Sequence, residues 1–180
     1  MPKRETNACV RWTQDAIGYL TSIRSIRTVI VSYRINAHLA GDHAKLYPHI
    51  PQGGSEEAKT RVWSFYIGTL KALRDAGKQV VLVLQAPELP RPMEQLIYNE
   101  EMDEKGRLAG VPRSWWAARN RYVETHLTGV PAGVIVMDLA RLMCDERTCY
   151  AARKGQSLYL FRRRSHVGGW RAARGAQNHA

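Results

Sequence analysis

The residues of this 180-residue chain whose types and spacing most invite chemistry are its cysteines and histidines. Cys144 and Cys149 stand close together in Cys144-Asp145-Glu146-Arg147-Thr148-Cys149, while Cys9 is alone near the start. A zinc site needs two further ligands at suitable spacing, and no Cys or His pair supplies them convincingly. A local disulfide is the sharper alternative, but it requires an oxidising compartment. Two free thiols remain open on the residues alone. His38, His43 and His49 crowd one stretch. They show no Glu-x-x-His helical spacing, so they read as solvated loop residues rather than a metal site.

Other side chains carry two readings each. Asp138 closes an apolar run and is either a site acid or the cap of the next turn. Trp115-Trp116 presents aromatic faces that can stack a sugar or a base, yet on an amphipathic helix at least one belongs to the core. Arg34 either lines a site or pairs with a carboxylate. Arg162-Arg163-Arg164 can bind phosphate, or can belong to a tail that is disordered or out of frame.

Three short apolar runs must position these groups. They are Thr28-Val29-Ile30-Val31-Ser32-Tyr33, Gln79-Val80-Val81-Leu82-Val83-Leu84 and Gly133-Val134-Ile135-Val136-Met137-Asp138. Each is β-branched and continuous rather than alternating, which suits strands buried on both faces of a parallel sheet. Helical patterns lie around them. From Glu56 to Ala76, Val62, Phe65, Thr69 or Leu70, and Leu73 recur at helical spacing, with Ser55 as cap and Gly77 as stop. Pro112 to Leu127 is a second helix, with Trp115, Ala118, Tyr122 and Val123 on one side. Trp12 to Leu20 is a shorter one. Alternating helices and strands imply a three-layer α/β domain with a mostly parallel sheet. The stretches His38–Ser55 and Ala86–Gly110 read as loops at the carboxyl ends of strands, where open α/β sheets bind ligands.

The chain carries 27 Lys+Arg against 16 Asp+Glu, a formal charge of +11. Its location matters more than its size. Residues 151–180 hold seven basic residues and no acidic one, so the first 150 have a net charge of only +4. A nucleic-acid-binding domain usually spreads its charge over a folded face, although a terminal basic arm is compatible with such binding. The 44% hydrophobic content argues against wholesale disorder. No apolar run approaches the roughly 20 residues of a membrane span, and the first residues do not read as a signal peptide.

The order of pieces resembles the soluble SGNH-type domain at the C-terminus of the membrane-bound O-acyltransferases that modify bacterial envelope polysaccharides. Four blocks carry the resemblance: Cys9 with Ala16-Ile17-Gly18-Tyr19-Leu20; the strand ending in Tyr33-Arg34; Val81-Leu82-Val83-Leu84-Gln85-Ala86-Pro87-Glu88-Leu89-Pro90; and Val134-Ile135-Val136-Met137-Asp138 with Leu142-Met143-Cys144, Cys149 and Leu158-Tyr159. Together they span most of residues 9–160. The resemblance implies an SGNH/flavodoxin-like three-layer fold and a Ser-His-Asp esterase or acyltransferase site. There a Gly-Asp-Ser serine is activated by the histidine of an Asp-x-x-His block. It implies O-acyl groups on sugars or polysaccharides as substrate and attachment of the parent domain to a membrane acyltransferase. It also implies a periplasmic or extracellular setting for the parent domain, leaving that of this chain open, with a Cys144–Cys149 disulfide and neither a metal nor another cofactor.

The departures are as informative. No Gly-Asp-Ser occurs in the chain; Gly41-Asp42-His43 follows the wrong strand and offers no hydroxyl. Ile35 replaces the expected Trp after Arg34. Arg34 matches the family, and Asn36 is an oxyanion donor by loose analogy. After Leu158-Tyr159 the family shows an Asp-rich turn and a His-containing triplet, then a closing helix. Here stands Arg162-Arg163-Arg164-Ser165-His166, with Arg163 where an Asp should precede His166 by three residues. Codons of the type CGA read one nucleotide later become GAC or GAT, so this string can be a shifted reading of Asp-Asp-Asp-His-Met. The expectation is a partial SGNH-like domain over 1–160, missing its first strand and closing helix, and a basic tail over 161–180 that is frameshifted or disordered. His166, Arg34 and Asn36 are its candidate site residues, and without a nucleophile the chain is expected to be inactive. The alternative is a small basic α/β protein that binds nucleic acid through its Arg-rich tail.

Overall fold

The computed structural model describes residues 8–42 and 46–154. In chain order the elements are α1 (Ala8–Ser22), β1 (Thr28–Ser32), α2 (Ile35–Ala40), α3 (Glu56–Asp75), β2 (Gln79–Val83) and α4 (Met93–Asn99). There follow β3 (Arg107–Pro112), α5 (Arg113–His126), a 3-10 turn at Leu127–Gly129, β4 (Ile135–Met137), α6 (Ala140–Met143) and β5 (Thr148–Arg153). All three apolar runs become strands of one parallel sheet, in the order β1-β2-β4. The fold is mixed α/β, consistent with the expected SGNH/flavodoxin-like architecture.

The register explains which side chains are sealed. Val29, Val31, Val80 and Leu82 point to one face and are buried with Trp63, Tyr66, Leu70 and Leu73 of α3. A fully buried leucine such as Leu70 contributes about 1.5–3 kcal/mol to this seam. The opposite face aligns Ile30, Val81 and Ile135, then Ser32, Val83 and Met137. There Ile30 is 68% exposed and Ile135 48%. The continuous apolar runs were expected to be buried on both faces; the described residues cover one. β1 is an edge strand of this sheet as described.

Local signals set the helix ends. The Ser55 hydroxyl oxygen accepts the Ala58 N–H at the start of α3, and Gly77 beyond its end takes φ +76°, the left-handed conformation that favours glycine. The buried stripe of α3 differs from the expected one in its first half, where Trp63 and Tyr66 turn inward and Phe65 is exposed. Lys78 is buried beside Gly77, and its Nζ donates to the carbonyls of Ile23 and Ile26 at 2.6 and 2.9 Å. That contact ties the α1–β1 connection to the start of β2.

Both expected loop stretches contain elements. The last half of α2 runs into the first, while α4 lies within the second and β3 begins in it. β3 pairs antiparallel with β5 as a separate two-stranded ribbon, with register shifts around Ala109. A Cβ on Gly110 would meet the Cys149 carbonyl oxygen at 2.7 Å, so glycine permits that close approach. α1 runs longer than its expected Trp12–Leu20. The closing helix and the tail 161–180 lie outside the described residues.

Candidate functional site

Because β1 and β2 are parallel, their carboxyl ends open onto the same edge of the sheet. Tyr33-Arg34 and α2 follow β1 there; Leu84-Gln85-Ala86-Pro87-Glu88 follows β2. α5 meets α2 at this edge and brings Arg119 and Asn120 inward. These segments meet in a polar network that is buried apart from Arg34.

The centre of the network is Glu88. Its Oε2 accepts Arg119 Nε–H at 2.7 Å, and its Oε1 accepts Gln85 Nε2–H at 2.9 Å. The Arg34 guanidinium approaches Oε1 at 3.8 Å, an ion pair too long for a hydrogen bond. Gln85 turns its Oε1 to the backbone N–H of Asn36 at 3.0 Å, and Asn36 Nδ2 donates to Asn120 Oδ1 at 3.0 Å. Arg119 Nη2 donates to the Gly41 carbonyl at 2.6 Å, just beyond α2. Arg119 Nη1 is buried with no acceptor.

The candidate residues therefore separate. Arg34 has a side chain 41% exposed, against 5% for Glu88, so it is the cation of this network that meets solvent. Its two readings hold together: it lines the edge and it pairs with a carboxylate. Asn36 is only 1% exposed and gives an amide hydrogen to Asn120, which makes it a strut of the network. Arg34 and Asn36 are brought together through Glu88 and Gln85. His166 lies outside the described residues, as does His43. His38 and His49 are exposed.

Elsewhere the bland readings prevail. Asp138 Oδ1 accepts the Ala140 N–H at 2.9 Å, two residues on, and so closes the turn that leads into α6. Trp115 and Trp116 are both buried, and Trp115 Nε1 donates to the Pro48 carbonyl at 2.7 Å, so neither offers a stacking platform. Among the described residues, no group of three or more His, Cys, Asp or Glu is placed to hold a metal ion.

Cys144 and Cys149 are joined by a disulfide. The short loop between them is organised by Asp145. This carboxylate accepts the Tyr150 hydroxyl at 2.5 Å, the backbone N–H groups of Arg147 and Thr148, and Arg107 Nη1 at 3.2 Å. Arg107 also donates to Asp103 and lies over the Tyr150 ring. The Tyr150 hydroxyl, then those backbone donors, hold the Asp145 carboxyl far below the usual carboxylate range.

Gln85, Glu88, Arg119 and Asn120 are the site residues that sequence reasoning did not single out. The available signal was polarity out of place: Gln85 and Glu88 at the end of a fully apolar strand, and Arg119 and Asn120 on the side of α5 that carries Trp116 and Val123.

The polar network lies at the carboxyl edge of a parallel α/β sheet, the edge at which open α/β sheets bind ligands. A family model, the SGNH domain (fused to AT3 domains), matches residues 1–163, and the chain belongs to that family. No curated protein and no solved structure matches it.

Proposed function

We propose that this domain receives O-acyl groups of envelope polysaccharides at the carboxyl edge of its sheet, as the soluble companion of a membrane acyltransferase. The observation that carries the reading is Arg34, half-exposed on that edge, in a chain whose family is fused to AT3 domains. A fixed guanidinium donates to an acyl carbonyl oxygen and favours the charge that grows on it during acyl transfer. The resemblance places the family's general-base histidine near His166, which has Arg163 where the orienting Asp should stand. The Cys144–Cys149 disulfide supports an oxidising, periplasmic or extracellular setting.

Acyl transfer also needs a nucleophile and a dyad to activate it. The 180 residues hold neither Gly-Asp-Ser nor Asp-x-x-His, so this chain binds O-acyl sugars without turning them over. Saturation-transfer NMR with 6-O-acetylglucose tests the binding. Transfer to the acetyl methyl group in the wild type, and its loss in Arg34→Ala, is expected; equal transfer to glucose itself, or none, overturns the reading.

The seven basic residues of 151–180 support a second use, contact with nucleic acid. It requires salt-sensitive DNA or RNA binding that disappears when residues 161–180 are deleted. Binding that survives the deletion overturns it.

A further inference from the structure

Helix α2 is six residues long and begins immediately after Arg34, so the placement of this helix sets the placement of that guanidinium. So short a helix has little stability of its own. Its N-cap position, Arg34, makes no side-chain capping hydrogen bond, and its C-cap is Gly41 at φ +84°. Its ends are instead held from outside. At the first turn, the Asn36 N–H is donated to Gln85 Oε1. At the far end, the Gly41 carbonyl accepts Arg119 Nη2–H.

Both arms converge on one carboxylate. Glu88 Oε1 takes the Gln85 Nε2–H, and Glu88 Oε2 takes the Arg119 Nε–H. The direction of these bonds matters. An ionised carboxylate only accepts, so it fixes the Gln85 amide with its nitrogen toward Glu88 and its oxygen toward Asn36. It likewise fixes the rotation of the Arg119 guanidinium, whose remaining arm then reaches Gly41. Removing the carboxylate frees both devices at once. The same carboxylate attracts Arg34 directly at 3.8 Å.

We propose that Glu88 is the positioning residue of this site: through Gln85 and Arg119 it fixes both ends of α2, and so sets Arg34 at the sheet edge where the acyl oxygen is received. The acyl-binding part rests on the function proposed above; the anchoring of α2 does not. Glu88 itself is buried, so it acts through its neighbours rather than on the substrate.

The test uses the full 15N-labelled chain and its Glu88→Gln variant, with two readouts. The first is amide hydrogen exchange without ligand. Stranding Arg119 lowers global stability and accelerates the strongly protected amides, so the readout is the difference: exchange at Asn36 is expected to accelerate at least about tenfold more than that at Val80 and Leu82 in the central strand. A merely structural loss accelerates all three by the same factor, and that result, or an unchanged Asn36, overturns the proposal. The second is the dissociation constant for 6-O-acetylglucose, expected to rise about tenfold although Arg34 is intact, because a small misplacement of a binding group is costly. An unchanged constant overturns the role in setting Arg34. If the wild type binds no 6-O-acetylglucose, the proposed function fails while the exchange readout still decides the anchoring. Should Glu88→Gln fail to fold, Gln85→Met cuts the link between Glu88 and Asn36 without stranding a charge. It must show the same Asn36-specific exchange and the same weakened binding; normal values for both overturn the proposal.

Discussion

Glu88 and Asp145 are two carboxylates with much the same company. Each accepts at least two hydrogen bonds, one of them from an arginine; Asp145 also takes backbone N–H groups of its own loop, whereas the link from Glu88 to α2 runs through the side chains of Gln85 and Arg119. They differ in their surroundings. Glu88 and its partner Arg119 have side chains 5% and 0% exposed, beneath the carboxyl edge of the sheet. Asp145 is 43% exposed in the disulfide-closed loop that leads into β5 of the ribbon. Similar donor sets therefore carry different consequences. A buried ion pair has no water to replace a lost partner, so breaking it strands a charge. An exposed pair exchanges its partner for solvent and for salt ions. The carboxyl edge of the parallel sheet rests on the first kind of pair, and the ribbon on the second.

The largest effect should come from the buried side. Glu88→Ala leaves Arg119 unpaired in the interior, and urea unfolding should show a loss of about 3–5 kcal/mol. A loss under about 1 kcal/mol would mean that the network is wetter than its burial implies.

On the ribbon the covalent link should outweigh the ionic one. Replacing Cys144 and Cys149 together by serine should cost about 2 kcal/mol, since the closed loop is short. The same unfolding experiment, with the wild type under reducing conditions as a second arm, measures it.

The smallest effect belongs to Asp145→Asn, and it should depend on pH. The folded carboxyl lies below the ordinary aspartate range, with the Tyr150 hydrogen bond first among the causes. Its stabilising contribution is therefore complete above the unfolded value and lost as pH falls toward the folded one. Between pH 7 and pH 3 the wild type should lose more melting temperature than Asp145→Asn. Asp103, shifted the same way by Arg107, should leave the variant some residual slope. Identical slopes would show that the Asp145 cluster does not persist in solution. At neutral pH the difference should shrink in 1 M salt, whereas that of Glu88→Ala should persist.

What was legible in the sequence follows the same divide. β1, β2 and β4 were readable as short uninterrupted β-branched runs, although the described residues bury only one face of β1 and β2 and leave all of β4 exposed. α3 was readable from Ser55 and Gly77, although Val62 and Phe65 lie at the same spacing as Trp63 and Tyr66, and periodicity alone could not choose between them. The ribbon was hidden because Gly110 and Pro112 interrupt β3 and its register shifts break the alternation of a strand. Arg34 was found through its family block. Glu88 and Gln85 stood in another such block, yet nothing local marked them as buried. Arg119 is the sharpest case. An arginine on a helix reads as a solvated face until the carboxylate that neutralises it, 31 residues away in sequence, is brought to 2.7 Å by the fold.

As proposed above, this chain carries the binding edge of an acyl-handling domain, and its 180 residues hold no Gly-Asp-Ser nucleophile block. The most direct measurement is turnover of p-nitrophenyl acetate by the purified 180-residue chain. No serine-dependent turnover above buffer is predicted; turnover abolished by a serine-directed phosphonate would contradict the claim.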